Sequence, residues 1–185
     1  MKDKKFISGM LPHKTEDNFI RPSFLDVFAQ EAVIISKRSA CLWFEVGAII
    51  IAENRHNIGS GYNGPVSGDV DPREAGCARV VDGVLIKGGG LCRGSHAELN
   101  AIGSLNIPTL GVELSIMVTT HPCKQCAKQI KNKGIKQVYY LWNYGDEDDT
   151  VSIWLKERGV SIKRYTSPFL ESWIELNKYK PLNVE

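Results

Sequence analysis

The sequence predicts an α/β domain of three layers, α/β/α, around a five-stranded mixed sheet. Short apolar runs rich in β-branched residues recur along the chain, and segments at helical spacing lie between the later ones. With 185 residues and 43% apolar composition, there is enough for one hydrophobic core and no evident second domain. These observations set the class, and the elements follow in order.

Residues 1–22 mix charge and proline without periodicity and read as a leader. Met1–Lys5 is charged, but Phe6–Leu11 carries serine and glycine, unlike the apolar stretch of a signal peptide. From Ser23, a candidate N-cap, the residues Phe24, Phe28, Ala32 and Ile35 recur at helical spacing. Val46–Ala52 is a continuous apolar run, the pattern of a buried strand. Residues 56–62 are expected to return antiparallel to it through a hairpin at Glu53-Asn54-Arg55.

Residues 63–94 form a long glycine-rich stretch, from Asn63-Gly64 to Gly88-Gly89-Gly90, expected to be an irregular functional loop. Regular alternation then begins. Ser95–Asn106 reads as helix, Leu114–Thr119 as strand, Cys123–Lys133 as helix and Ile135–Leu141 as strand. Thr150–Arg158 reads as helix, Val160–Tyr165 as strand and Pro168–Asn177 as helix. Helical crossovers return the chain to the same end of a sheet, so the last three strands should be parallel. The domain is expected to span 23–178, with a short tail at 179–185.

Composition excludes several functions. A net charge of +2 gives no basic channel, so a long nucleic acid is not an expected partner. No apolar run approaches the ~18–20 residues of a membrane span, and a cytoplasmic location is expected. Five cysteines is an odd count, and two form a Cys-x-x-Cys, which points to metal or redox chemistry rather than a disulfide frame.

The chemistry concentrates in Ser95-His96-Ala97-Glu98 and Pro122-Cys123-Lys124-Gln125-Cys126. His-x-Glu followed by Pro-Cys-x-x-Cys is the signature of zinc nucleobase deaminases. A catalytic zinc takes three protein ligands and keeps one position open, and His96, Cys123 and Cys126 supply that number. Cysteines three apart at a helix start face one side, and the exposed N–H groups of that end favour thiolate. Pro122 suits a helix start because its missing N–H has no partner there. Glu98, two residues beyond the histidine, is placed to shuttle protons without binding the metal. Each part alone has a plainer reading: Ser95-x-x-Glu98 is also a capping box, the cysteine pair also a redox motif, and a lone histidine more often structural. Together and in order, they favour the metal site.

The chain resembles the deoxycytidylate deaminase family of the cytidine deaminase-like superfamily over about residues 21–165. The resemblance rests on Arg21-Pro-Ser, Ser39-Ala-Cys41, Val46-Gly-Ala, Gly61-Tyr-Asn-Gly64, His96-Ala-Glu-Leu-Asn-Ala-Ile102, Pro122-Cys-Lys-Gln-Cys126, and Tyr144 with its acidic follow-on. It implies zinc-dependent hydrolysis of deoxycytidylate to deoxyuridylate and ammonia. Asn63 would bind near the sugar hydroxyl, the Ala97 N–H would meet the pyrimidine carbonyl oxygen, and Tyr144 would wall the base pocket. The alternatives are a tight turn at Asn63-Gly64 and a core aromatic at Tyr144. Gly-Tyr-Asn-Gly with Asn100 favours deoxycytidylate over transfer-RNA adenosine deaminases.

This chain departs from the family at Trp43, where many members carry an arginine that helps hold phosphate. Arg93 is a candidate substitute, the alternative being a solvated surface arginine. Some relatives hold a second, structural zinc. Cys41, Cys77 and Cys92 fit such a site, with Asp71 or His56 as candidate fourth ligand, or they are small buried hydrophobes. A homo-oligomer and nucleoside triphosphate effectors with Mg are also implied by some relatives. Trp154 and Trp173 would favour an oligomer if exposed, and are otherwise core. Competing readings are deamination of another small cytosine compound, a nucleic-acid-acting deaminase, and a zinc module without turnover.

Overall fold

The computed structural model describes residues 21–53, 56–86, 92–105, 108–145 and 148–179. The leader to residue 20, Asn54-Arg55, the Gly88–Gly90 run, Asn106, part of the acidic follow-on and the tail from 180 lie outside the described residues.

The sheet comprises β1 (Gly47–Ala52), β2 (Asn57–Tyr62), β7 (Leu114–Thr120), β8 (Gln137–Trp142) and β9 (Ser161–Arg164), in the order β2-β1-β7-β8-β9. β1 pairs antiparallel with both β2 and β7, while β7, β8 and β9 are parallel. This is the predicted five-stranded mixed sheet. All six residues of β1 are buried, because helices cover both faces there.

On one face lie α3 (Ala97–Gly103), α4 (Lys124–Asn132) and α5 (Asp148–Glu157), whose Ala101, Ile130 and Leu155 pack with Ile50, Ile116 and Val138. The other face carries α1 (Phe24–Ser36) and α6 (Pro168–Leu176), with Phe28, Ala32 and Leu170 against Ile49 and Met117. Ser23 caps α1 in a full capping box with Asp26. The buried stripe of α1 runs through Phe28, Ala29, Ala32 and Val33, so Phe24 is turned outward, 46% exposed. Trp154 and Trp173 are partly buried against the two cores, which favours their packing role.

A glycine contact and a side-chain hydrogen bond seat the helix that carries the site. A Cβ on Gly61 would collide with the backbone of Ala97 and Ala101, so only glycine lets α3 lie directly on β2. Asn100 then donates from its side-chain amide to the Tyr62 carbonyl at 2.8 Å, fixing the helix along the strand.

The described residues of the segment 63–94 carry more regular structure than expected. β3 (Gly64–Pro65) pairs with β6 (Gly94–Ser95), α2 covers Pro72–Ala75, and β4 (Val80–Val81) forms a hairpin with β5 (Val84–Leu85). Asp82 and Gly83 join that hairpin with φ of 52° and 78°. Positive φ at both central residues is the type I′ geometry that Asp-Gly favours. Among the described residues no helix is long and apolar enough to cross a membrane.

Candidate active site

The site is built on two helix N-termini. His96 is the N-cap of α3 in extended conformation, with no side-chain capping bond, so its imidazole is free for another task. Ser95 is held in the β3–β6 ladder opposite Gly64, and the capping box with Glu98 is not formed. That leaves Glu98 without its plainer explanation. Cys123 is the N-cap of α4, which moves Pro122 just ahead of the cap rather than into the first turn. Cys126 sits one turn into α4, on the same side as Cys123.

The three ligand atoms converge. His96 Nδ1 lies 3.2 Å from Cys126 Sγ and 3.5 Å from Cys123 Sγ, and all three lie within 4.8 Å of one another. Tetrahedral zinc with ordinary Zn–S and Zn–N bonds sets its ligand atoms about 3.5 Å apart, so the donor set fits. Among the described residues this is the one such group. A hydrogen bond from Cys126 lowers the Cys123 thiol to about 4, helped by His96, so a thiolate is available as ligand. That same bond, with burial, pushes the Cys126 thiol up, so the metal-free pair shares one proton.

Glu98 is 4% exposed, and burial raises its carboxyl above the usual carboxylate range, with the His96 charge acting in the opposite direction. The histidine is raised in turn, first by its bond to Cys123 and then by Glu98, against the pull of burial. Four titrating groups thus meet at one end of a cavity.

The remaining predicted residues line that cavity. Asn63, Ala97, Arg93 and Tyr144 all face it. The Asn63 amide also clamps the strand leading into β1: its Oδ1 accepts from Val46 N–H at 2.8 Å and its Nδ2 donates to Phe44 O at 3.0 Å. It is not a tight turn, because β3 continues the chain. Tyr144 is 46% exposed, its ring 5.8 Å from Phe44, which is a wall position rather than a core one. Leu42 and Phe44 line the cavity on either side of Trp43.

Cys41, Cys77 and Cys92 also border the cavity, but they form no ligand cluster among the described residues. Asp71 caps α2 and pairs with Arg73, which holds its carboxyl down to about 2. His56 lies beyond the cavity lining, at the entry to β2.

Two cavity residues escaped the sequence reading. His121 is buried, its Nδ1 3.1 Å from Pro122 O and its Nε2 2.9 Å from Ser152 Oγ. Burial lowers its pKa, which favours the neutral ring; Nδ1–H then donates to Pro122 and Nε2 accepts from Ser152. Asp148, 3.4 Å from that Nδ1, accepts the Tyr144 N–H at 2.7 Å. The cysteine turn and the Tyr144 wall are therefore joined through one histidine. Arg79 is the second, and the only signal for it was a cation inside the long loop.

A three-layer sheet that presents one histidine and two cysteines on adjacent helix ends, beside a buried carboxyl, defines a cytidine deaminase-like domain. Residues 22–142 match the model of the cytidine and deoxycytidylate deaminase zinc-binding region, and the chain belongs to that family. It is 38% identical over 127 residues to ComE operon protein 2 of Bacillus subtilis, covering 67% of this chain and 62% of that protein. It is 33% identical over 152 residues to a deoxycytidylate deaminase of Schizosaccharomyces pombe, covering 82% of this chain but 47% of that enzyme. The chain thus spans about half to two-thirds of the length of these relatives. The structure of the dCMP deaminase of cyanophage S-TIM5, in complex with dCMP and dUMP, superposes with a TM-score of 0.63 at 26% identity. That match covers 80% of this chain and all of the phage one.

Proposed function

We propose that this protein hydrolyses deoxycytidylate to deoxyuridylate and ammonia, with zinc held by His96, Cys123 and Cys126. The observation that carries the reading is the convergence of those three ligand atoms beside a buried Glu98 that forms no capping box with Ser95. Zinc bound there supplies a water whose pKa falls from ~15.7 to ~7. Glu98 would accept one proton of the attacking water as the water oxygen joins C4 of the cytosine, and would pass it to ring N3. It then carries the second proton to the exocyclic nitrogen, so that the C4–N bond breaks with release of ammonia. The Ala97 N–H, at the first position of α3, orients the pyrimidine carbonyl oxygen, and Tyr144 closes the base pocket from the side.

The monophosphate is preferred as substrate because the family's curated members include deoxycytidylate deaminases and because the cavity carries arginines at its loop end. A homo-oligomer and a cytoplasmic location accompany this reading. The exposed Val66, Val70 and Val84 on the loop segment support a further contact surface. A second zinc or a Mg–nucleotide effector forms no part of it.

The test is ammonia release by the zinc-loaded chain on deoxycytidylate, deoxycytidine and cytidylate, with Glu98→Ala alongside. Deoxycytidylate turnover that drops roughly 10²–10⁴-fold in the variant, with zinc content unchanged, is the expected result. Retained zinc with no turnover of any of the three by the unaltered chain would sink the reading.

A further inference from the structure

The reaction takes place at the zinc end of the cavity, yet the cavity extends to the loop end, where its wall includes Cys77–Arg79 and Cys92–Gly94. Among the described residues, the formally charged side chains on the wall are Glu98, Arg79 and Arg93. Glu98 belongs to the chemistry, so the described residues of the loop end bring two guanidinium groups and no carboxylate. The nearby acid Asp71 is already taken by Arg73. For a chain of net charge +2 this is a local excess of positive charge, placed where a substrate would project away from the zinc ligands.

Of the two arginines, Arg79 is the one the structure leaves incomplete. Its Nε is buried and has no hydrogen-bond partner among the described residues. A guanidinium N–H removed from water without an acceptor is costly, and interior donors are otherwise almost always satisfied. The backbone around it is fixed: Arg79 O accepts from Ile86 N–H at 2.8 Å, closing the base of the β4–β5 hairpin. The side chain is also close enough to Tyr144 for its charge to act on the phenol, opposing the upward push of burial. Both residues line the same cavity. Trp43, at the position where the family's arginine is expected, is not among the cavity-lining residues.

Resting on the deaminase reading above, we propose that Arg79 recognises the phosphate of the deoxynucleoside monophosphate, its orphaned Nε and a terminal nitrogen forming a two-point grip on the phosphate oxygens. Guanidinium suits this because its fork matches two oxygens at once, where an ammonium offers a single point. Arg93 adds charge from the other strand of the loop.

The experiment uses the zinc-loaded full chain with Arg79→Gln, Arg79→Lys and Arg93→Gln. It measures kcat and KM for deoxycytidylate and deoxycytidine, and the calorimetric Kd of deoxyuridylate and deoxyuridine. Melting curves report folding. Arg79→Gln is expected to raise both the deoxycytidylate KM and the deoxyuridylate Kd roughly 10–150-fold, with a smaller change in kcat. The preference for nucleotide over nucleoside should fall by the same factor, and Arg79→Lys should recover part of it. A folded Arg79→Gln that leaves that preference unchanged would overturn the assignment, as would an effect carried wholly by Arg93→Gln. An unaltered chain that deaminates nucleoside and nucleotide equally also overturns it, while leaving the deaminase reading intact. Conversely, a chain that deaminates neither but binds deoxyuridylate through Arg79 overturns the reaction and keeps the phosphate grip. Binding neither overturns both.

Discussion

The two ends of the cavity are made from different kinds of structure. The zinc end consists of the first turns of α3 and α4, each seated on a central sheet whose β1 and β7 are almost wholly buried. The loop end consists of two-residue strands, a one-turn helix and a hairpin with exposed valines. Chemistry that must hold atoms to fractions of an ångström is carried by the first. Recognition of a charged, solvated group is carried by the second. On the proposed reading, catalytic geometry would be inherited from packing, whereas substrate choice would depend on a segment whose conformation is set by local turn chemistry.

The sharpest way to break that contrast is to remove a ligand at the rigid end. Cys126 is fully buried, shares a proton with Cys123 and touches His96. Cys126→Ala should take zinc from about one per chain to nearly none and reduce turnover to background, because the remaining two ligands cannot hold a three-ligand site. Metal analysis and ammonia release check both. A variant that keeps stoichiometric zinc would remove Cys126 from the ligand set. Retained activity without zinc would remove the metal from the mechanism.

How much of this was legible follows the same division. The strands and helices of the sheet announced themselves because each carries a full period of burial: the run Ile49-Ile50-Ile51 must be covered on both faces, and Phe28 and Ala32 in α1, like Val151 and Leu155 in α5, stand four residues apart. The metal group was legible because its residue types and spacing are rare together. The loop was not. Two-residue pairs such as Gly64–Ser95 have no periodicity to read, and they form only because α3 and β2 bring their neighbours together. Even so, Val81-Asp82-Gly83-Val84 contains a hairpin signal in its own right, passed over beneath the glycine count. The Ser95–Glu98 capping box failed for a related reason: tertiary pairing took Ser95, and the helix began one residue later. Arg79 was invisible because nothing in a sequence marks a buried donor as unpaired.

Two glycines test the division with one substitution. At the rigid end, Gly61→Ala forces a methyl group into the backbone of α3 at Ala97 and Ala101, where no side chain can yield. The helix must move off the strand or the strand must bend, at a cost of about 1–3 kcal/mol or more. Because His96 and Glu98 ride on α3, kcat should fall along with the melting temperature. Denaturant unfolding and steady-state kinetics on the same preparation show whether the two losses travel together. Full kcat in a clearly destabilised variant would mean that the catalytic turn is held by something other than its seat on β2.

The smaller effect belongs to Gly83→Ala. Here a Cβ meets nothing within 4 Å, so no packing is lost; the strain comes only from φ of 78°, a left-handed conformation. The cost is about 1–2 kcal/mol, confined to the β4–β5 hairpin. Since that hairpin shares few contacts with the sheet, it can open on its own, and global unfolding should change little. What should change is the base of the hairpin, where Ile86 holds the Arg79 carbonyl. Faster amide exchange at Ile86, with an increase of a few-fold in the deoxycytidylate KM and an unaltered kcat, is the expected pattern. An equal loss of global stability in Gly83→Ala and Gly61→Ala would instead make the loop part of one cooperative unit with the sheet. The cavity would then have a single rigid wall, and substrate choice would be as firmly built as the metal site.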